Sequence, residues 1–321
     1  MNPREKDFRK KKELGRGAFG VVHLVTRVSD GAEFALKQSN LRGFKSADKL
    51  LEAETWMKLP PHRNIVRLYE HWLSTDEQYM FLLMELCGNN NLAKCIAGGE
   101  LGNEVVKDLC RALLGALCVF EEHKIMHNDL KPDNIFLSEG FVPKIGDMGL
   151  AKFTSGRDSI LRKATTGYPG GTPIFMSPEM VHRHDTAAKN VSDVPRRTIS
   201  YQSDVYSLGA LLWSLKMGRY PDTPGQVLQV DATVFRDKQL RDCLNDMLQR
   251  DADSRPRASK LKLKYFSSSA APAGAVAVST PGLFITFSHE SGKYFSSYAA
   301  PAGAAAVSTP RLFGVRPSIE V

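Results

Sequence analysis

The chain has 321 residues, of which 42% are hydrophobic and 24% are charged, as is ordinary for a soluble globular protein large enough for two lobes. The formal net charge of +8 and the pI near 9.2 reflect a moderate, scattered excess of basic residues, apart from the run Arg9–Lys12. This run indicates the solvated face of a first strand rather than a nucleic-acid site, so we expect no nucleic-acid partner.

The cysteines and the N-terminus bear on the compartment. The five cysteines include no C-x-x-C pair and cannot all pair with one another, which favours reduced thiols in a cytosolic or nuclear protein. Residues 1–12 lack the apolar run of a signal peptide, and nowhere does the chain offer about 18 consecutive apolar residues for a membrane span. We expect a cytoplasmic protein, with the nucleus as the alternative.

A glycine array is the first motif, in E-L-G-R-G-A-F-G-V-V at residues 13–22. Gly15, Gly17 and Gly20 would let backbone N–H groups approach phosphate oxygens without a Cβ atom in the way. The same array opens dinucleotide-binding folds, but there a helix follows at once, whereas residues 21–27 alternate like a strand. The chain has no G-x-x-x-x-G-K-[ST] motif, which disfavours a P-loop nucleotidase. A hairpin closed over a nucleotide fits best.

A short strand and a helix follow the glycine array. Residues 33–37, E-F-A-L-K, read as a strand that ends in a lysine, Lys37. Residues 46–59 read as a helix that offers two carboxylates, Glu52 and Glu54. An exposed strand lysine is common, so Lys37 gains meaning only beside the other motifs.

The middle of the chain contains an apolar strand and a long helix. Residues 79–86, Y-M-F-L-L-M-E-L, are an apolar run of strand length, and residues 87–91 can only form a loop. Apolar residues then recur at helical spacing, which predicts a helix from about Asn103 to His123 with Asn103 as its N-cap. This helix needs only a core-facing role.

Two charged segments follow that helix, I-M-H-N-D-L-K-P-D-N-I-F-L at 125–137 and K-I-G-D-M-G-L-A at 144–151. Apolar flanks indicate short buried strands on either side of the charges, which would be costly to bury without partners. Phosphoryl transfer requires a carboxylate at the attacking hydroxyl, a cation near the transferred phosphate and oxygen ligands for magnesium. Four residues supply these parts: Asp129, Lys131, Asn134 and Asp147.

These motifs, in this order, resemble those of protein kinases, and more specifically of serine/threonine kinases. The two charged segments resemble the catalytic loop H-R-D-L-x-x-x-N and the metal loop D-F-G, while E-F-A-L-K resembles V-A-I-K. The resemblance runs from about Phe8 to about Leu263. It implies an α+β, bilobal kinase domain over residues 1–264, with a small antiparallel β-sheet and one main helix in the N-lobe (about 1–86) and a mainly helical C-lobe (about 87–264).

The resemblance also implies catalytic roles. Asp129 would orient the substrate hydroxyl as a base, and Lys131 would neutralise the γ-phosphate of ATP. Lys37 would contact the α- and β-phosphates and would be held by Glu52, with Glu54 facing solvent. The wording D-L-K-P-x-N is typical of serine/threonine kinases, so the expected partners are ATP and protein substrates bearing Ser or Thr.

Further residues are implied by position in the family pattern. Asn134 and Asp147 would hold Mg²⁺, and Thr172 would bridge Asp129 and Lys131. Glu179, in S-P-E, would pair with Arg255, and Asp204 would anchor the catalytic-loop backbone from the start of a buried helix. The adenine pocket would be lined by side chains and hinge backbone of Leu14, Val22, Ala35, Met84, Glu85, Cys87 and Phe136.

Two positions depart from the pattern. Asn128 replaces the usual arginine of the catalytic loop, and Met148 replaces the phenylalanine of D-F-G. We expect Trp56, one helical turn after Glu52, to fill the space beside Met148, thioether against indole. Both departures motivate an alternative class, a nucleotide-binding pseudokinase that acts as a scaffold.

The C-terminal tail, residues 265–321, is rich in Ala, Ser and Pro. Residues 264–284 return at 293–313 with few changes, and two copies are too few for a solenoid, which needs about three repeats. Composition predicts disorder. The alternative is a duplicated docking segment for a partner protein. Residues 182–202 form a longer loop than most kinases have, and it would influence the choice of substrate or partner.

Overall fold

The computed structural model describes residues 3–17, 20–42, 46–88, 90–148, 152–153, 173–182, 200–267, 283–288 and 293–298. An antiparallel sheet occupies the N-terminal part, and helices dominate the part that follows. The predicted α+β class is therefore confirmed. Among the helices of these described ranges, none combines the length and apolar character needed to cross a membrane.

Five strands build the N-terminal sheet, in the order β1-β2-β3-β5-β4, and neighbours run antiparallel. Lysines of the basic run lie exposed on β1, an edge strand, where charge discourages pairing with another chain. Helix α1 (Ser46–Met57) packs against β4. The strands are β1 (Phe8–Gly17), β2 (Gly20–Arg27), β3 (Glu33–Asn40), β4 (Leu68–Leu73) and β5 (Tyr79–Met84).

Strand β3 shows how the sheet separates its two faces. Side chains alternate along a strand, so Phe34 and Leu36 share one face while Ala35 and Lys37 share the other. Phe34 and Leu36 join an aromatic-rich cluster with Trp72. Ala35 belongs instead to the large core cluster that continues into the helical part. Lys37 consequently points toward the cleft between the two parts.

Helices form the core of the C-terminal part, with α4 at its centre. All residues of α4 from Ser203 to Lys216 are buried, which explains its almost continuous apolar sequence. Helices α3 and α5 pack against it. The helices are α2 (Leu92–Ala97), α3 (Asn103–Glu122), α4 (Tyr201–Met217), α5 (Lys238–Met247) and α6 (Ala258–Phe266).

The predicted helix from Asn103 to His123 is present, but its N-cap is one residue earlier. Gly102 has the extended conformation of a cap, and its carbonyl accepts the bond from the Val106 amide at 3.1 Å. Asn103 is the first helical residue, so the prediction of Asn103 as N-cap was wrong. We expected a capping side chain because asparagine is favoured at the N-cap position. The N-cap residue is instead Gly102, which has no side chain and bonds the helix through its carbonyl.

Short strands hold the two charged loops side by side. Strands β6 (Asn90–Asn91), β8 (Ile135–Leu137) and β9 (Pro143–Ile145) form one small sheet, in which Ile135 pairs with Ile145. Strand β7 (Ile125–Met126) pairs with β10 (Lys152–Phe153). The catalytic-type loop lies between β7 and β8, and the metal-type loop follows β9. Both loops therefore meet at one edge of this sheet.

The tail contains one hairpin that the prediction of disorder did not include. Strands β11 (Leu283–Ser288) and β12 (Lys293–Tyr298) pair antiparallel, as their alternating aromatic and β-branched residues favour. The disorder of the tail as a whole stays a prediction. The rest of the repeated tail lies outside the described residues beyond Ser267, as does most of the predicted loop at 182–202.

Candidate active site

Lys37 and Asp147 come together across the cleft. Lys37 extends from β3, and Asp147 lies two residues after the end of β9. The Lys37 Nζ atom lies 2.5 Å from Asp147 Oδ1, and Lys37 is only 7% exposed. A charged lysine so deeply buried requires an opposite charge, and this pair provides it. The contact joins the sheet of the N-terminal part to a loop of the C-terminal part.

The environment of Asp147 favours its charged form. Burial acts to raise the pKa of Asp147, but the charge and hydrogen bond of Lys37 outweigh this, so the pKa lies below its ordinary value. The residue adopts a left-handed backbone conformation with φ of 58°, which aspartate tolerates better than most side chains. Asp147 is therefore a fixed carboxylate at the mouth of the cleft.

Asn134 is held next to Asp147 by the register of the short sheet. Because Ile135 pairs with Ile145, Asn134 lies beside Gly146, whose amide donates to the Asn134 carbonyl at 2.9 Å. Asn134 is almost fully buried. A carboxylate and a carboxamide are both hard oxygen donors, and Mg²⁺ at phosphate sites needs only one or two protein ligands of this kind. These two residues fit a magnesium ion that shares phosphate oxygens.

Asp129 is oriented by two later residues of the same loop, Lys131 and Asn134. Lys131 Nζ lies 2.8 Å from Asp129 Oδ2, and Asn134 Nδ2 donates to the same oxygen at 3.0 Å. Asn134 Nδ2 also donates to the Asp129 carbonyl at 2.8 Å. Within the described residues both side-chain contacts fall on Oδ2, which leaves Oδ1 for an incoming hydroxyl. Asp129, Lys131, Asn134 and Asp147 thus form one site.

Asp204 anchors the backbone of the catalytic-type loop, as predicted. Its two oxygens accept the amides of His127 at 2.7 Å and Asn128 at 2.8 Å. Burial raises the pKa of Asp204, although His127 and the two amide donors act in the opposite direction. The His127 ring bonds the Gly146 carbonyl at 3.1 Å, which ties this loop to the metal-type loop.

The glycine hairpin lies above this site. Gly17 pairs with Gly20 at the end of the β1–β2 hairpin, which confirms the predicted hairpin. Gly20 has φ of 130°, and a Cβ atom there would come within 2.1 Å of the Gln38 carbonyl oxygen. A Cβ atom on Gly15 or Gly17 would meet no atom of the described residues within 4 Å, apart from the immediate chain neighbours. Gly15 and Gly17 are both exposed, so their backbone is accessible to a ligand.

Several of the predicted adenine-pocket residues belong to the large core or pack against it. Ala35 pairs with Met84 across β3 and β5, and both are buried in the large core. Leu14, Val22 and Phe136 are partly buried and pack against the same core. The Gly88 amide donates to the Leu137 carbonyl, which holds the segment after Met84 beside β8.

One backbone group of the hinge is already used within the N-terminal part. The Glu85 amide donates to the Arg67 carbonyl at 2.9 Å, so the Glu85 carbonyl is the group that can face the cleft. Burial, together with the charge of Glu85, raises the pKa of the Cys87 thiol to about 12. Cys87 is consequently neutral, and its backbone rather than its thiol suits adenine recognition.

Comparison with known proteins decides the family. A sequence model of the protein kinase domain matches residues 8–266. The chain belongs to the protein kinase family. This membership confirms the predicted bilobal kinase fold, and kinase domains in general use ATP and Mg²⁺.

Several curated kinases resemble this kinase domain at about 30% identity. Serine/threonine-protein kinase ATG1a of Arabidopsis thaliana is 31% identical over 234 residues, which are 71% of this chain and 34% of the relative. The probable serine/threonine-protein kinase nek2 of Dictyostelium discoideum is 28% identical over 265 residues, which are 77% of this chain and 60% of the relative. The inactive serine/threonine-protein kinase PLK5 of Mus musculus is 30% identical over 223 residues, which are 67% of this chain and 33% of the relative. The kinase therefore spans about a third to three fifths of the length of these relatives.

Every predicted catalytic role stays a prediction, including those of Glu52 and Thr172. Glu52 lies half-buried on α1 and contacts Lys49 Nζ at 2.7 Å. Glu54 is exposed, as expected. Thr172 lies outside the described residues, which resume at Pro173.

Trp56 makes a contact that the sequence did not reveal. Its indole N–H donates to the Val66 carbonyl at 2.8 Å, and the side chain is 4% exposed. Leu68, His127 and Met148 are also buried, and Trp56 and Met148 belong to the same core cluster. A direct indole–thioether contact stays a prediction, but α1 is tied by a hydrogen bond to the segment before β4.

The predicted pair of Glu179 and Arg255 is present and buried. Arg255 Nη1 donates to Glu179 Oε1 at 2.9 Å and Nη2 donates to Oε2 at 2.5 Å. The Arg255 side chain is 0% exposed and the Glu179 side chain is 4% exposed. Burial acts to raise the pKa of Glu179, but Arg255 outweighs it and holds that pKa below its ordinary value. The pair belongs to the frame of the C-lobe rather than to the reaction.

Proposed function

We propose that the protein is a serine/threonine protein kinase that transfers the γ-phosphoryl group of ATP to Ser or Thr hydroxyls of protein substrates. The observation that supports this most is the convergence of Lys37, Asp129, Lys131, Asn134 and Asp147 on one cleft. The wording D-L-K-P-x-N and the names of the relatives favour Ser and Thr over Tyr.

The chain's own residues supply positioning and charge. Bound ATP with Mg²⁺ would supply the transferable phosphoryl group and part of the charge neutralisation. Asp129 accepts the hydrogen bond of the substrate hydroxyl on Oδ1 and takes its proton as the oxygen attacks, while Lys131 stabilises the charge on the transferred group. Lys37 would hold the α- and β-phosphates, and Asn134 and Asp147 would hold Mg²⁺.

The nucleotide would lie between the glycine hairpin and the short sheet. The backbone of Gly15 and Gly17 approaches the phosphates, and the Glu85 carbonyl and Cys87 amide bind adenine. Leu14, Val22, Ala35, Met84 and Phe136 would cover the two faces of the base. Glu52 would steady Lys37, and Thr172 would bridge Asp129 and Lys131. We place the kinase in the cytoplasm, with the nucleus as the alternative, and assign the domain to residues 1–264.

The test is phosphate transfer from γ-labelled ATP to a library of Ser-, Thr- and Tyr-containing peptides. Label on Ser or Thr, and none on Tyr, is the expected result. Label confined to Tyr would contradict the specificity. The peptides that accept label would also define the substrate class.

A second candidate is a nucleotide-binding pseudokinase that serves as a scaffold. Asn128 and Met148 favour it, and one similar protein, PLK5 of Mus musculus, is described as inactive. Nucleotide binding without transfer to any peptide would support the scaffold. The tail repeats would then be the natural place to seek a docking partner.

A further inference from the structure

Three segments of the chain meet behind the adenine pocket. They are the residues before β4, which end at Arg67, the hinge at Glu85, and strand β9 with Lys144. The first two belong to the N-lobe and its border, whereas β9 leads directly into the metal-type loop. The junction therefore connects the element that would bind adenine to the element that would bind the metal.

The side chain of Glu85 joins all three segments. Its Oε1 atom lies 3.0 Å from Lys144 Nζ, and its Oε2 atom accepts the Arg67 amide at 3.2 Å. The Glu85 amide donates to the Arg67 carbonyl at 2.9 Å. The Lys144 side chain is 11% exposed and that of Glu85 is 25% exposed. A pair so shielded is screened less by salt than a surface pair.

Backbone hydrogen bonds and close packing also hold strand β9 in place. Ile145 bonds the segment before β4 through both of its backbone groups, to the Val66 amide and the Asn64 carbonyl. Lys144 lies opposite Phe136, the predicted floor of the adenine pocket. Gly146 follows, and a Cβ atom there would lie 2.9 Å from both Phe136 and Val66. Lys144 is thus the position in β9 whose side chain reaches the hinge.

Both charges of the pair act at the hinge. The Glu85 charge raises the pKa of the Cys87 thiol and the Lys144 charge lowers it, although burial is the larger cause of the upward shift. Cys87 is a predicted adenine contact, so the ion pair lies close to the nucleotide base. Asp147, three residues after Lys144, is the predicted metal ligand. The pair therefore joins the segment that contains one predicted subsite to the strand that leads to the other.

We propose that Lys144 is a positioning residue for the nucleotide: its ion pair with Glu85 fixes the hinge carbonyl relative to the metal-type loop. Adenine and the triphosphate can then bind at the same time without strain. This inference rests on the proposed nucleotide-binding function. It predicts that the pair couples two subsites, and that it contributes little to either subsite alone.

Titration calorimetry with three probes tests this proposal on the full chain: ATP with Mg²⁺, adenosine, and inorganic tripolyphosphate with Mg²⁺. In Lys144→Met we expect the Kd for ATP to rise by about fivefold or more, the lower end of typical coupling between sites. The Kd values for adenosine and tripolyphosphate should each change less than about twofold. Lys11→Met, which removes an exposed ion pair with Glu33, is the matched control and should leave all three unchanged.

A double-mutant cycle separates positioning from general stability. Glu85→Gln should weaken ATP binding as Lys144→Met does, and the double variant should be no weaker than either. Additive losses, an unchanged Kd for ATP, or equal weakening of all three probes would each overturn the proposal. Because binding is measured without turnover, a wild-type chain that binds ATP but transfers no phosphate would contradict the proposed activity alone. A wild-type chain that binds no ATP would overturn both.

Discussion

Lys37 and Asp147, 110 residues apart in the chain, form an ion pair of 2.5 Å across the cleft. The pair sets the distance between the sheet and the metal-type loop. Lys37 also holds the pKa of the Asp147 carboxyl below its ordinary value, although burial acts to raise it. A nucleotide phosphate chain with its cation would enter between these two charges.

Replacement of Lys37 by methionine should abolish most phosphate transfer. The variant keeps the length of the side chain but removes the charge that would stabilise the phosphates, and we expect kcat/KM to fall by about 10²-fold or more. Lys11→Met, on the exposed edge strand, should stay within about twofold of wild type. Equal activities of the two variants would show that Lys37 has no role in the reaction.

The buried pair of Glu179 and Arg255 should dominate the stability of the C-lobe. In Arg255→Met the Glu179 carboxylate stays buried without its bidentate partner, which should cost about 3–5 kcal/mol of unfolding free energy. Adding Glu179→Met should recover part of that loss, because no uncompensated charge remains. Urea unfolding measures both effects. The exposed Lys238–Asp242 pair supplies the control Lys238→Met, for which a change above about 1 kcal/mol would be unexpected.

The same pair predicts how stability depends on pH. The folded-state pKa of Glu179 lies below its value in the unfolded chain, which is about 4.3. Its contribution is therefore complete above the unfolded pKa and is lost as the pH falls through the folded pKa. We expect unfolding free energy to decline below about pH 5 in the wild type, and to decline less steeply in Glu179→Gln. Identical slopes in the two proteins would contradict this assignment.

Trp56 should act on catalysis through α1 rather than through nucleotide binding. Trp56→Leu removes the hydrogen bond to the Val66 carbonyl and leaves a gap beside the core, with an expected cost of about 1–3 kcal/mol. We expect kcat to fall more than affinity for ATP. Trp56→Phe, which leaves a smaller gap, should show an intermediate loss of stability. Unchanged turnover in Trp56→Leu would refute this role.

Sequence reasoning located the residues whose chemistry is carried by short motifs. Asp129, Lys131, Asn134 and Asp147 lie where local spacing and strand flanks put them. Contacts between distant backbone groups were not accessible in this way. The bond from Trp56 to the Val66 carbonyl and the pair of Glu85 with Lys144 depend on the packing of separate segments. A local sequence pattern does not predict such packing.

The duplicated segment shows this limit most directly. Lys264–Phe266 ends helix α6, where the Tyr265 hydroxyl bonds Asp246 at 2.7 Å. The same three residue types at Lys293–Phe295 lie in strand β12. One tripeptide adopts two structures because its neighbours differ. The first copy contacts helix α5, and the second copy pairs with strand β11. Tertiary context overrides local preference in both places.

The most direct test of the central claim compares Asp129→Asn with Asp133→Asn. Both changes neutralise one aspartate of the same loop, but Asp129 lies in the proposed site, whereas Asp133 is exposed. We predict that Asp129→Asn loses transfer of labelled phosphate by at least about 10²-fold, in the range of general-base contributions, yet binds ATP like the wild type. Asp133→Asn should retain transfer within a few-fold. Full transfer by Asp129→Asn would contradict the account.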